Sequence, residues 1–403
     1  MVGAGQAGLA VSHLLAERGI EHVMLERARA GHRWRSERWD SLRFQFPNWC
    51  LELPGWHYEG SDPDGFAHHD EIADVIESYG RHLREYLREG TPVTEVRREG
   101  QEWSVATPTG GITCRSVVLA TGPFQEPVIS PLAAGVPEGI SQLHSRDYRN
   151  PSALPAGAVL VVGGGGSGTQ IAEELCEAGR VVHLAASTHR WVPRRYRGRD
   201  ATWWLLGTGA LDRPLSELPE HRPPPSLLVT GVGGGHDMNL RRLHAAGVRV
   251  HGSLREIEGG VAVFQDNAEA IASAADEACA QFLAAADAHA ERLNLDLPAA
   301  QPRRFAEALP ARTSLDLHAA GVSSVIWCTG YRLAYAWVKA PFLDERGVPR
   351  QERGITPCEG LYVLGLHWMH TVQSGLFFGV ERDAAHLVDH IARRMLSGPP
   401  RPH

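Results

Sequence analysis

Two glycine-spaced stretches constrain this chain more than anything else in it. Gly3-x-Gly5-x-x-Gly8 stands at the start, within "MVGAGQAGLAVSHLLAERG", and Gly163-x-Gly165-x-x-Gly168 within "VLVVGGGGSGTQIAEEL". Glycine is 43 of 403 residues, so a single match to this spacing is weak by itself. Context strengthens it. Each stretch opens a helical pattern, and each pattern stops at a glycine eleven residues after the third, at Gly19 and Gly179. The spacing suits a turn in which the backbone approaches a pyrophosphate and the helix N-terminus supplies N–H donors. Such turns require a parallel sheet, so the expected fold class is α/β with two Rossmann-like dinucleotide-binding domains.

The strand after each turn selects the nucleotide. Eighteen residues past Gly8 lies Glu26, ending "HVMLE", where an acid accepts hydrogen bonds from ribose hydroxyls. Eighteen past Gly168 lies Ala186, followed by Ser187, Thr188 and Arg190. A carboxylate there would repel a 2′-phosphate; two hydroxyls and an arginine would hold it. Arg194, Arg195 and Arg197 are further candidates for that phosphate. The expectation is FAD at the first turn and NADPH at the second, the one reducing the other. Only Met1 and Val2 precede Gly3. The first strand is therefore expected to be a stub, the flavin site weakened, and the natural start to lie upstream.

Periodicity divides the chain. Helix is expected for residues 70–87, a strand meander for 95–121, and a buried strand at 322–331, with "LYVLGL" (361–366) preceding a last helix. That helix should bury Val380, Ala384, Leu387, Val388 and Ile391 on one face. "HRPPPS" (221–226) reads as a linker, 267–294 as one long helix or two, and 396–403 as a frayed tail. The expected domains are a discontinuous FAD domain, 1–150 and 313–403, with an NADPH domain inserted at 151–312 that carries a helical insertion at about 207–310.

Composition excludes several classes. A net charge of -7 disfavours nucleic acid as a partner, and Lys339 is the only lysine, which disfavours Schiff-base chemistry. None of the six cysteines forms a C-x-x-C pair, so neither a thioredoxin-type couple nor a zinc knuckle is indicated. Scattered cysteines and the lack of a signal-like start point to a cytoplasmic protein. No apolar run is long enough to span a bilayer. "TWWLLG" (202–207) fits a core segment first, and otherwise a substrate wall, a homodimer contact or a membrane-touching surface.

The chain resembles the flavin-containing monooxygenases, a class that includes the plant YUCCA enzymes. The marks are the two glycine turns, "GHRWR", "SLRFQFPNWCLELPGW", "VVLATG", "HSRDY", "HRWVPR" and "CTGY". The resemblance covers most of the chain except roughly 207–310. It implies a cycle in which NADPH reduces FAD, reduced flavin and dioxygen form a hydroperoxide, and a nitrogen or sulfur of a small molecule takes the oxygen. Two departures bear on this. Glu138 and Ile140 replace the Phe and Gly of the family fingerprint, although His144 and Tyr148 keep its second half. Gln45 stands where the family carries a catalytic Asn, one methylene longer. An oxidoreductase or oxidase that inserts no oxygen therefore stays open, as does a non-enzymatic redox sensor.

Residue roles follow from the turns and the resemblance. Gly3, Gly5, Gly8 and Glu26 should hold FAD, with Trp34, Arg35, Thr121 and Gly122 along it. Gln373, Ser374 and Gly375, before the last helix, should meet the flavin pyrimidine. Gly163, Gly165, Ser167, Gly168, Ser187, Thr188 and Arg190 should hold NADPH. Gln45, His144 and Tyr148 are the catalytic candidates; for His144 and Tyr148, fixing the domain linkage is the favoured reading over proton transfer. His367, Trp368 and His370 are candidates for the substrate pocket. No third ligand accompanies His367 and His370, so no metal is expected. His68-His69-Asp70 reads as a helix start with Asp70 as its cap.

Overall fold

The computed structural model describes residues 1–218, 228–301 and 308–397. The linker expected at 221–226 lies outside the described residues, as does the end of the expected tail. No helix among the described residues is long and apolar enough to cross a membrane.

Two parallel layers carry the two glycine turns. In the first, Val2 bridges both Leu25 and Leu119. Met24–Leu25 pairs with Leu87–Arg88, and Val117–Leu119 with Leu361–Val363. Val2 is the bridging residue of this layer just before the turn. The second layer is a five-stranded parallel sheet in the order Ser141–His144, Val322–Trp327, Ala158–Val162, Val182–Ala185, Arg249–His251. Its central strand, Ala158–Val162, is a fully buried run, as a sheet covered on both faces requires.

This sheet shifts the expected domain boundaries. Ser141–His144 and Val322–Trp327, assigned from sequence to the FAD domain, pair inside the second sheet. The inserted unit therefore begins before residue 151 and ends after residue 312. The expected helical insertion is also mixed. It supplies the sheet strand Arg249–His251 and the antiparallel strands Leu254–Glu258 and Val261–Phe264, beside one continuous helix, Ala268–Arg292.

The helix His69–His82 starts on a capping box made by His68 and Glu71, so His68, not Asp70, is the N-cap. Both nitrogens of the His68 ring are engaged, with the Asp40 carbonyl and the Asp70 N–H. In "TWWLLG", Trp204 is fully buried and its indole donates to the Tyr196 carbonyl, so the segment is core. The last helix, Phe377–Ser397, packs on the first-turn helix, Gln6–Glu17, through Val380, Ala384, Leu387 and Leu9, Val11, Leu15.

Candidate functional site

The two glycine turns are built alike. Each helix has 12 residues, Gln6–Glu17 and Gly166–Glu177. Each N-cap is glycine, Gly5 at φ -82°, ψ -175° and Gly165 at φ -82°, ψ -174°. The glycines in each turn divide the work. Gly3 (φ +103°) and Gly163 (φ +129°) lie in a region that side chains rarely adopt. A Cβ on Gly8 would run into the Gly3 carbonyl oxygen, and one on Gly168 into that of Gly163, so these glycines bring helix and strand together. A Cβ on Gly5 or Gly165 would meet nothing within 4 Å. Neither helix has a side-chain cap, so its first N–H groups face that open space, as an anion cradle requires.

The ends of the neighbouring strands differ as expected. Glu26 accepts from Ala4 N–H at 2.9 Å and Ala28 N–H at 3.0 Å, which holds its carboxylate at the mouth of the first turn. Ala186 is fully buried. Its methyl leaves room for Gly164, where any added Cβ would lie 2.8 Å from it. Thr188 and Arg190 line a cavity of about 240 Å³ together with Gly164, Gly165, Gly166 and Ser167. Ser187, exposed, does not line it. The Arg190 side chain is half-buried, and burial lowers its pKa. The other arginines are committed elsewhere, which corrects the expectation for them. Arg194 pairs with Asp200, Arg197 with Asp287 at 3.0 Å, and Arg195 donates to the Gly234 carbonyl at 3.1 Å.

Gln45 reaches the second turn. Its Nε2 lies 3.2 Å from where a Cβ on Gly166 would stand, so the bare turn makes room for it. The loop is anchored by Arg194, whose Nη1 donates to the Gln45 carbonyl at 2.7 Å and whose guanidinium lies 4.8 Å from the Phe66 ring centre.

His144 and Tyr148 have partners other than Gln45. Tyr148 is fully buried and its hydroxyl donates to Glu174 Oε2 at 2.7 Å. Burial and that carboxylate push its pKa up. His144 is 1% exposed, with Nε2 3.0 Å from the Gly330 carbonyl and Nδ1 accepting from Arg146 N–H at 3.1 Å. Burial lowers its pKa. Its ring meets Tyr331 edge-on at 4.9 Å, and Tyr331 and Gly330 line the cavity. The ring nitrogens of His144 and the hydroxyl of Tyr148 are engaged within the second layer and its helix, so neither offers a free proton-transfer atom.

Toward the first turn the expectations divide. Trp34 is half-buried and lies beneath Arg38, 5.1 Å from its ring centre. Arg35 points away, into Asp74, Glu77 and Asp70 of the helix His69–His82, so it does not lie along a cofactor. Arg38 and Phe124 are what sequence reasoning missed: Arg38 lies 5.5 Å from the Phe124 ring, and Phe124 lines the cavity. An exposed Phe beside "ATG" was the available signal. Thr121 Oγ1 and the Gly122 carbonyl both accept from Gln125 Nε2 at 2.9 Å.

Before the last helix, Thr371 and Ser374 form a capping box over Val372–Gly375. Gln6, in the first-turn helix, donates to the Gly375 carbonyl at 3.2 Å, which ties this segment to the first turn. His367 lies beside Gly375 and 5.8 Å from Phe124. Trp368 has φ +59°, a strained position for a bulky side chain. His370 sits near Arg353, Asp383 and Arg382, and burial is the main cause of its lowered pKa.

A model of the pyridine nucleotide-disulphide oxidoreductase family matches residues 1–202. The chain belongs to that family. As a member of these oxidoreductases it is 32% identical over 395 residues to an uncharacterized CzcO-like oxidoreductase of Geobacillus kaustophilus, covering 97% of each chain. It is 31% identical over 229 residues to the indole-3-pyruvate monooxygenase YUCCA4 of Oryza sativa, 51% of this chain and 52% of that one. Its fold is that of a flavin-containing monooxygenase from Stenotrophomonas maltophilia, with TM-score 0.69 at 18% identity over 98% and 97% of the two chains.

Proposed function

We propose that this oxidoreductase is an NADPH-dependent FAD monooxygenase that oxygenates a nitrogen or sulfur atom of a small molecule. The observation that carries the reading is the cavity at the second glycine turn, where Arg190 and Thr188 stand at the strand end that lacks an acid. A 2′-phosphate has a cation and a hydroxyl there and no repelling carboxylate. The names of relatives lean the same way: YUCCA4 is an indole-3-pyruvate monooxygenase, and a fold neighbour, OTEMO, is a complex with FAD and NADP.

The residues fit both groups. Gly5 and Gly165 leave open the space in front of uncapped helix N-termini, and Glu26 has lone pairs left for ribose hydroxyls. When bound, FAD supplies hydride acceptance and oxygen activation, which no side chain supplies. The chain's own part is positioning. Gln45, beside Gly166, orients the nicotinamide half through its amide. Trp34, Phe124 and Tyr331 bring aromatic surface that keeps water from the cleft. His144 and Tyr148 hold the linker that fixes the second turn relative to the first.

A second reading, an oxidase that releases peroxide, is favoured by the longer amide of Gln45. Disulfide reduction has less support. Burial pushes the Cys328 thiol up to about 12 and raises that of Cys50, so neither is a thiolate near neutrality. The test mixes protein, FAD and NADPH in air with a panel of amines and sulfides. NADPH consumed without matching peroxide, with oxygenated product formed, is the expected result. Peroxide equal to NADPH across the panel would establish the oxidase instead.

A further inference from the structure

The inserted unit meets the segment before the last helix through a short backbone contact and a carboxylate, Asp212. After the helix Ala201–Gly207 the chain turns, and Pro214 forms an antiparallel bridge with Thr371. Leu215 N–H donates to the His370 carbonyl at 3.0 Å. Residues 212–215 therefore lie as a strap across the segment that leads into the last helix. From this strap Asp212 Oδ1 accepts from two donors, Gln373 Nε2 at 3.0 Å and Arg382 Nη1 at 3.0 Å. Arg382 Nη2 donates onward to Thr371 Oγ1 at 3.1 Å. Gln373 itself is buried, 6% exposed. On the opposite side Gln6 holds Gly375. The segment Val372–Gly375 is thus clamped between the first glycine turn and the inserted unit.

We propose that Asp212 is a positioning residue that sets the reduction potential of flavin at the first turn by fixing Gln373 and by its own charge. The inference rests on the flavin reading given above. Hydride transfer from NADPH leaves NADP+ and adds two electrons and one proton to the flavin, hence one negative charge. A carboxylate bonded to a residue at that edge raises the free energy of the added charge, and Arg382 offsets part of it. Asp212 and Arg382 are about half-exposed, so solvent screens the effect and keeps it modest.

Asp212→Asn keeps the size and the acceptor oxygen and removes only the charge. In FAD-loaded protein the variant should have a more positive midpoint potential. The expected shift is about threefold in the reduction equilibrium, or ~15 mV for a two-electron couple. The shift should shrink as salt rises. Arg382→Gln, which leaves Asp212 bonded to Gln373, should move the potential the other way, so the outcome does not hang on one variant. Equal potentials in wild type and both variants would overturn the role of Asp212 and leave the flavin reading standing. A wild-type protein that takes up no FAD would overturn both.

Discussion

In the first nucleotide half the strand that feeds the glycine turn is Val2 alone; in the second it is Ala158–Val162. The strand orders nevertheless correspond. Leu87–Arg88, Met24–Leu25, Val2, Val117–Leu119 and Leu361–Val363 match Arg249–His251, Val182–Ala185, Ala158–Val162, Val322–Trp327 and Ser141–His144 in turn. What differs is where the stability comes from. The shallow first layer leans on helices: the first-turn helix and the last helix bury Leu9, Val11, Val380 and Leu387 completely. The deep second layer leans on its sheet, and it encloses buried imidazoles, His183, His189 and His251 among them.

Acid should break this symmetry most strongly. Burial lowers the pKa of His189 to about 4, of His251 to about 4 and of His183 to about 3. All three are neutral when folded, whereas the unfolded chain takes up protons near 6.5. Stability from these groups is therefore intact above about pH 6.5 and falls as pH drops toward 4, by about 3 kcal/mol for His189 alone. Hydrogen exchange followed from pH 7 to 4 should show 158–185 losing protection before the first-turn helix does. Equal loss in both would mean the imidazoles are not the cause.

Alanine at the glycines separates packing from binding. Gly8→Ala and Gly168→Ala should each cost about 1–3 kcal/mol, because the methyl meets backbone. Gly5→Ala and Gly165→Ala should leave melting nearly unchanged while weakening FAD and NADPH respectively. Thermal melts paired with cofactor titrations check all four. A smaller effect is expected from Arg190→Ala. The NADPH KM should rise about tenfold, ~1.4 kcal/mol, with little change for NADH. An equal rise for both would mean the 2′-phosphate lies elsewhere. The smallest is Tyr148→Phe, which removes one hydrogen bond to Glu174 and should cost ~1 kcal/mol in a denaturant melt. Its NADPH KM should match wild type, as a linker residue requires.

Much of this was legible in the residues, for reasons of scale. Turns, helix faces and strand ends depend on neighbours within about twenty positions, and Gly3, Glu26, Ala186 and Arg190 stand where local spacing puts them. Partner choice among arginines was not legible. Arg35 and Arg197 went to carboxylates on remote helices, Asp74 and Asp287, which the sequence does not bring near. The domain boundary failed for the same reason: a strand such as Val322–Trp327 joins whichever parallel neighbour the crossover delivers it to, here Ala158–Val162. Phe124 escaped notice because it belongs to no periodic pattern.

Arg194 carries a last consequence. It is 1% exposed, and it joins the Gln45 carbonyl, Asp200 and the Phe66 ring, while its backbone N–H donates to Asp237 at 2.7 Å. A buried cation stripped of such company is strongly destabilising. Residues 44–66 and 194–202 therefore form one heritable cassette. A chimera that imports either stretch from a relative without the other would bury a stranded charge, so swaps meant to change substrate range must carry both across together.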